Sequence, residues 1–168
     1  MKSPSILDMV SEAGGALARK IKKFFKLSFK EKRLFFEAYF FVGIMRAAIL
    51  AVSFKSLTRS LEHQKSGLEI SPLDYKEIQT ALSVGKAIRM ASANTPWEST
   101  CLAQSLAARR MLQRRDIPGV FYLGVAKNEE GREKMKAHSW SQCGDVIITG
   151  GDGYEDFTVL SVFGWAKK

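Results

Sequence analysis

Cysteine is scarce in this chain. There are two, Cys101 and Cys143, among 168 residues, with two histidines, His63 and His138. Two cysteines do not make a disulfide framework, and they lack the paired spacing of a zinc site. A stapled secreted scaffold is therefore excluded, and a reducing cytoplasm fits best. There is no glycine-rich phosphate loop and no strand-helix alternation, which disfavours nucleotide-binding folds. The opening MKSPSILDMV has no apolar run followed by a cleavage site, so it does not read as a secretory signal. Nor is there an uninterrupted membrane-length apolar run. Residues 34–54 have the length, but Glu37 and Arg46 interrupt them, and a charge near the centre of a spanning helix is costly. A buried or partly buried helix is expected there, a helix lying on a membrane surface is the second choice, and a true span the third.

Acidic residues are few in the N-terminal third. Residues 1–60 hold twelve Lys and Arg against four Asp and Glu, which accounts for +8 of the total +9. Such a patch attracts nucleic acid, anionic lipid or an acidic peptide, or simply solvates a helix face. No recognition motif accompanies the lysines, so no nucleic-acid partner is expected.

Hydrophobic residues are plentiful, at 46%, and eleven Phe, four Tyr and three Trp give a core bulk. The length suits one domain, with or without an appendage. The stretch GGALARKIKKFFKL is amphipathic. From Ser28 to about Ser53 the pattern predicts one long helix. Ser28 and Glu31 form a capping-box pair, and Leu34, Phe35, Tyr39, Val42, Met45 and Ile49 make a core seam. Another helical turn or two is expected over 54–62, then a loop over 63–74, with His63 a surface residue without a chemical role. The next helix runs from about Tyr75 to Ala93, capped by Asp74 or Ser71. Ile78, Leu82, Gly85, Ile88 and Arg89 trace its period imperfectly, and close packing would explain the glycine. After NTPWEST a helix carries Cys101 to about Arg114, with Ala103, Leu106, Ala107 and Met111 on one apolar side.

Beyond Gly119 the period becomes two. Strands are expected over 120–125, 135–143, 146–149 and 157–163. A charged loop at 128–134 and a Gly144-Asp145 turn join them. Helices first, then a small antiparallel sheet, is an α+β pattern.

The chemistry sits at Cys101 and His138. A thiol is a poor nucleophile until a base removes its proton, and imidazole suits that role near neutral pH. An isolated cysteine is more often a buried filler, and a lone histidine more often a core residue. The joint pattern argues otherwise: Trp97 and Cys101 at one helix, then Ala-His-Ser-Trp on a strand. Strand parity puts Cys143, five residues past His138, on the other face, as a small core residue. Cys101 lies in the first turn if the helix begins at Ser99, where the dipole favours a thiolate, and in the second if Thr95 is the cap. A third group must orient the imidazole. Asp145, Asp152, Glu155 and Asp156 are candidates. With Cys143 paired to Val146, His138 falls opposite Gly151, and Asp152 is the nearest carboxylate. Asp145 lies more than about 15 Å away at strand rise. Thr149 or a backbone carbonyl is the alternative. The Cys101 N–H is the expected oxyanion donor, with a second from the Asn94–Trp97 segment.

Cysteine on a helix followed by histidine on a strand is the order of papain-like and transglutaminase-like hydrolases. Over residues 97–163 the chain resembles, more narrowly, the transglutaminase-like leader peptidases of lasso-peptide biosynthesis. The likeness rests on Trp97, Cys101, Leu102, Ser105, Leu106, Ala107, Arg114, Arg115, Ile117, Pro118, Gly124, Val125, Ala137, His138 and Trp140. The resemblance implies a papain-like/transglutaminase-like core over 94–168. Before it lie a helical region over 28–93 and a basic, partly ordered segment over 1–27. It also implies a cysteine protease cutting the leader from a ribosomally made precursor peptide. Cys101 would be nucleophile and His138 base, with no metal or organic cofactor; Asp152 is the third member that the strand count, not the resemblance, supplies. A small leader-recognition protein and a macrocyclase are the implied partners. The sequence departs from the family where an acid usually follows the histidine by a dozen positions; here stand Thr149, Gly150, Gly151 and Asp152. It departs again at Ser141-Gln142, where Val-Glu is usual. Two other functions compete: a transglutaminase-like amide acyltransferase, and a non-catalytic scaffold docking membrane or partner proteins through its basic helices.

Overall fold

The computed structural model describes residues 22, 24–52, 62–63, 72–127 and 135–167. The chain divides into two compact units, Met1–Arg33 and Leu34–Lys168. In the first, the expected capping box forms. The Ser28 N–H donates to Glu31 Oε2 at 3.0 Å, and the Glu31 N–H donates to Ser28 Oγ at 3.3 Å. These bonds satisfy orphan donors at the start of helix α1, Phe29–Ala51.

Within the second unit, α1 lays the predicted seam on the core. Val42 is buried, and Leu34, Phe35, Tyr39, Met45 and Ile49 pack against the buried cluster. The two charges that interrupt its apolar run are both paired. Glu37 takes a two-pronged bond from Arg115, at 3.1 and 2.6 Å, and Arg46 meets Glu98 at 3.5 Å. The opposite side is exposed at Phe36, Phe40, Ile44 and Leu50. Among the described residues α1 is the one helix long and apolar enough to cross a membrane.

Helix α2, Tyr75–Ser92, begins at a capping box between Asp74 and Glu77. The expected repeat needs one correction. Leu82 is exposed, and the buried face is Ala81, Val84, Gly85, Ala87, Ile88 and Ala91. Small residues win this face because α2 lies close on the sheet. A Cβ at Gly85 would stand 2.5 Å from the Ile148 carbonyl oxygen. Helix α3, Cys101–Gln113, buries Ala103, Leu106, Ala107 and Met111 as expected, and adds Ser105, Ala108 and Leu112. It ends where Asp116 turns left-handed, at φ 56°, and the Ile117 N–H returns to Leu112 O.

The five strands among the described residues are β1 Glu62–His63, β2 Gly119–Lys127, β3 Met135–Cys143, β4 Val146–Thr149 and β5 Thr158–Trp165. They form one antiparallel sheet in the order β1-β5-β2-β3-β4. β1 corrects the helical expectation at Glu62 and the loop expectation at His63: the two residues pair with Gly164 and Phe163. A pairing that short leaves no alternation to read. Of the helical turns expected over 54–62 all but Glu62, and of the loop expected over 63–74 residues 64–71, lie outside the described residues, as does the loop over 128–134. The Gly144-Asp145 turn forms, with Cys143 opposite Val146. The architecture is α+β, with α2 and α3 against the sheet and Phe121, Cys143, Ile148, Phe163 and Trp165 in the shared core.

Candidate active site

Position 101 is set by the seven residues before it. Thr95 Oγ1 donates to the Trp97 carbonyl at 2.9 Å and lies 2.8 Å from Ser99 Oγ. The Trp97 ring packs edge-on to Tyr39 at 5.3 Å and against Gly43, where a Cβ would approach within 3.0 Å. The loop so anchored delivers Thr100 as the cap of α3, its Oγ1 accepting the Ala103 N–H at 3.4 Å. Cys101 is therefore the first helical residue. Of the two starts weighed above, the first-turn placement holds. The Cys101 and Leu102 N–H groups have no intrahelical acceptor, and they form the positive end of the helix on which the Cys101 thiol sits. The thiol is half-buried.

His138 is half-buried on β3 in an aromatic surround. Its ring lies 5.0 Å from Phe157 and 6.0 Å from Trp140, and Trp140 stacks on Tyr122 at 5.2 Å. Burial pushes the Tyr122 hydroxyl up. The imidazole Nε2 lies 2.9 Å from the Gly150 carbonyl oxygen. A carbonyl can only accept, so Nε2 carries the hydrogen and Nδ1 keeps its lone pair in the neutral ring.

One cavity of about 510 Å³ gathers the chemistry. Cys101, His138 and Asp152 all line it, with Gly85, Arg89, Gln104 and residues 147–151. Asp152 is on its exposed rim. The extrapolated pairing of His138 with Gly151 does not form. A bulge at Ile148 shifts the register, so that Ser141 faces Thr149, and β4 ends there. Gly150 then turns left-handed, at φ 69°, and presents its carbonyl to the imidazole. Cys143 is fully buried, and burial pushes its thiol up to about 12, which suits the core role that parity assigned it.

Arg89 and Gln104 went unremarked in the sequence as cavity residues. The signal for Gln104 was available: it lies three residues past Cys101, on the same helix face. Its Nε2 donates to Ser99 O at 2.9 Å. Arg89 had none, because it comes from a different helix.

A family model described as the transglutaminase-like superfamily matches residues 45–162, an interval holding Cys101, His138 and Asp152. No curated protein and no solved structure matches the chain.

Proposed function

The chain belongs to the transglutaminase-like superfamily, and from that premise we propose that it is a cysteine peptidase. The observation carrying this reading is the shared cavity. A cysteine at a helix N-terminus and a histidine with an oriented tautomer line one space.

The Nδ1 lone pair of His138 takes the thiol proton of Cys101. The thiolate attacks the scissile carbonyl carbon, and the oxyanion is met by the Cys101 N–H. Gln104, tied by one amide hydrogen to Ser99 O, offers its second as a further donor. The imidazolium then protonates the departing amine and leaves a thioester. Water, deprotonated by the same nitrogen, hydrolyses the thioester and frees the thiol. The Gly150 carbonyl orients the ring, with Asp152 as the competing candidate for that role.

The finer reading is leader removal from a ribosomally made lasso-peptide precursor in the cytoplasm. The motif around Cys101 and His138 supports it. A separate leader-binding protein presents the substrate, and a macrocyclase takes the product. The exposed stripe of α1 at Phe36, Phe40, Ile44 and Leu50 supports a docking role toward such a partner or a membrane surface.

The test mixes the full chain with its precursor peptide and partner and weighs the products. Cys101→Ala and His138→Ala are expected to lose at least about a thousandfold in cleavage, while Asp152→Asn stays within about tenfold. Cleavage by Cys101→Ala at the wild-type rate would refute the peptidase. A thousandfold loss in Asp152→Asn would hand the third role to the carboxylate. A product joined to an amine rather than to water would favour acyl transfer.

A further inference from the structure

The buried polar side chains among the described residues are Ser105, Ser139, Ser141 and Thr149. All four belong to one hydrogen-bonded chain. Ser139 Oγ donates to Ser105 Oγ at 3.3 Å, Ser105 Oγ lies 3.3 Å from Thr149 Oγ1, and Thr149 Oγ1 lies 2.6 Å from Ser141 Oγ. Donation running from Ser139 to Ser105 to Thr149 to Ser141 satisfies every link with one proton each. The chain joins α3, β3 and β4.

Its members adjoin the reacting groups. Ser105 is one helical turn past Cys101. Ser139 follows His138. Thr149 precedes Gly150, which holds the imidazole, and itself lines the cavity.

Four hydroxyls in an apolar core add little net stability, since they give up water to gain three bonds among them. What oriented bonds add is a single register. Ala108, three residues past Ser105 and buried, gives that side of α3 only a methyl group. A smooth apolar contact tolerates small translations that a chain of directed bonds does not.

We infer that this hydroxyl chain is a positioning device that sets the separation of the Cys101 sulfur from the His138 ring. The inference rests on the reading of those two residues as a reacting pair. Cys101 carries the nucleophile, and the four hydroxyls act through the segments that carry it and His138.

Thr149→Val keeps the side chain's shape and removes its hydroxyl; Thr149→Ser restores it. The readout is the rate of Cys101 alkylation by iodoacetamide, followed by mass spectrometry from about pH 5 to 9. Cys143 does not compete, being buried. Wild type is expected to show a low-pH limb that His138→Ala abolishes. Thr149→Val should lower the rate at about pH 6 roughly tenfold, the equivalent of one hydrogen bond, and Thr149→Ser should recover it to within about threefold. A folded Thr149→Val with the wild-type rate and profile overturns the inference and leaves the pairing of Cys101 with His138 standing. A wild-type profile indifferent to His138→Ala overturns the pairing itself. If Thr149→Val does not fold, Ser141→Ala, at the chain's end, is judged by the same criterion.

Discussion

Gly150 shows how much one position can carry. Its φ of 69° lies in the left-handed region, and a Cβ there would collide with the Ser139 carbonyl oxygen and stand 3.0 Å from Trp140 Cα. Gly153 has nearly the same φ, 68°, but its nearest contact would be 3.7 Å from an Asp156 oxygen. The pair separates backbone strain from crowding. Gly153→Ala is expected to cost about 1 kcal/mol, and Gly150→Ala about 3 kcal/mol or more, as measured by urea unfolding. Equal losses would mean that the crowding at Gly150 relaxes freely. Cys101 and His138 were legible in the sequence because their chemistry belongs to their side chains. The partner of His138 was not, because a carbonyl is present in every residue and only a bulge and a left-handed turn single this one out.

At the scale of elements, the helix boundaries were readable where caps announce them. Ser28 with Glu31 and Asp74 with Glu77 both form reciprocal boxes. The face of α2 was not readable, since Leu82 outranks alanine in hydrophobicity and yet points to solvent. Contact with β4 decides that face, and Gly85 lies against Ile148 there. Gly85→Ala should gain about 1 kcal/mol of helix propensity and lose more to the Ile148 carbonyl. A net loss of about 2 kcal/mol in chemical denaturation is expected, with a slower Cys101 reaction because β4 leads into Thr149 and Gly150. A stabilised variant would show that α2 and β4 can part without cost.

Across the whole second unit, Glu37 ties α1 to the end of α3. Its side chain is 17% exposed, and Arg115 grips both oxygens, while Arg114 at 3.5 Å is largely in water. Glu37→Gln is expected to cost about 2 kcal/mol, and Arg114→Ala under about 0.5 kcal/mol, by thermal unfolding. Comparable losses from the two would shift the weight to Arg114. From the sequence, Glu37 and Arg46 argued against a spanning helix, and their ion pairs supply the physical reason that each is tolerated. Sequence alone determined the α+β order of elements, the seam of α1 and the turn at Gly144, and it singled out Cys101 and His138 as candidates, because periodicity, capping and side-chain identity are local properties. Only the tertiary structure decided that Cys101 opens its helix, that Ser105 and Thr149, 44 positions apart, share a hydroxyl chain, that Gly85 and Asp152 line one cavity, and that a main-chain oxygen meets the imidazole. Those depend on register, bulges and the docking of distant segments, which no local pattern encodes.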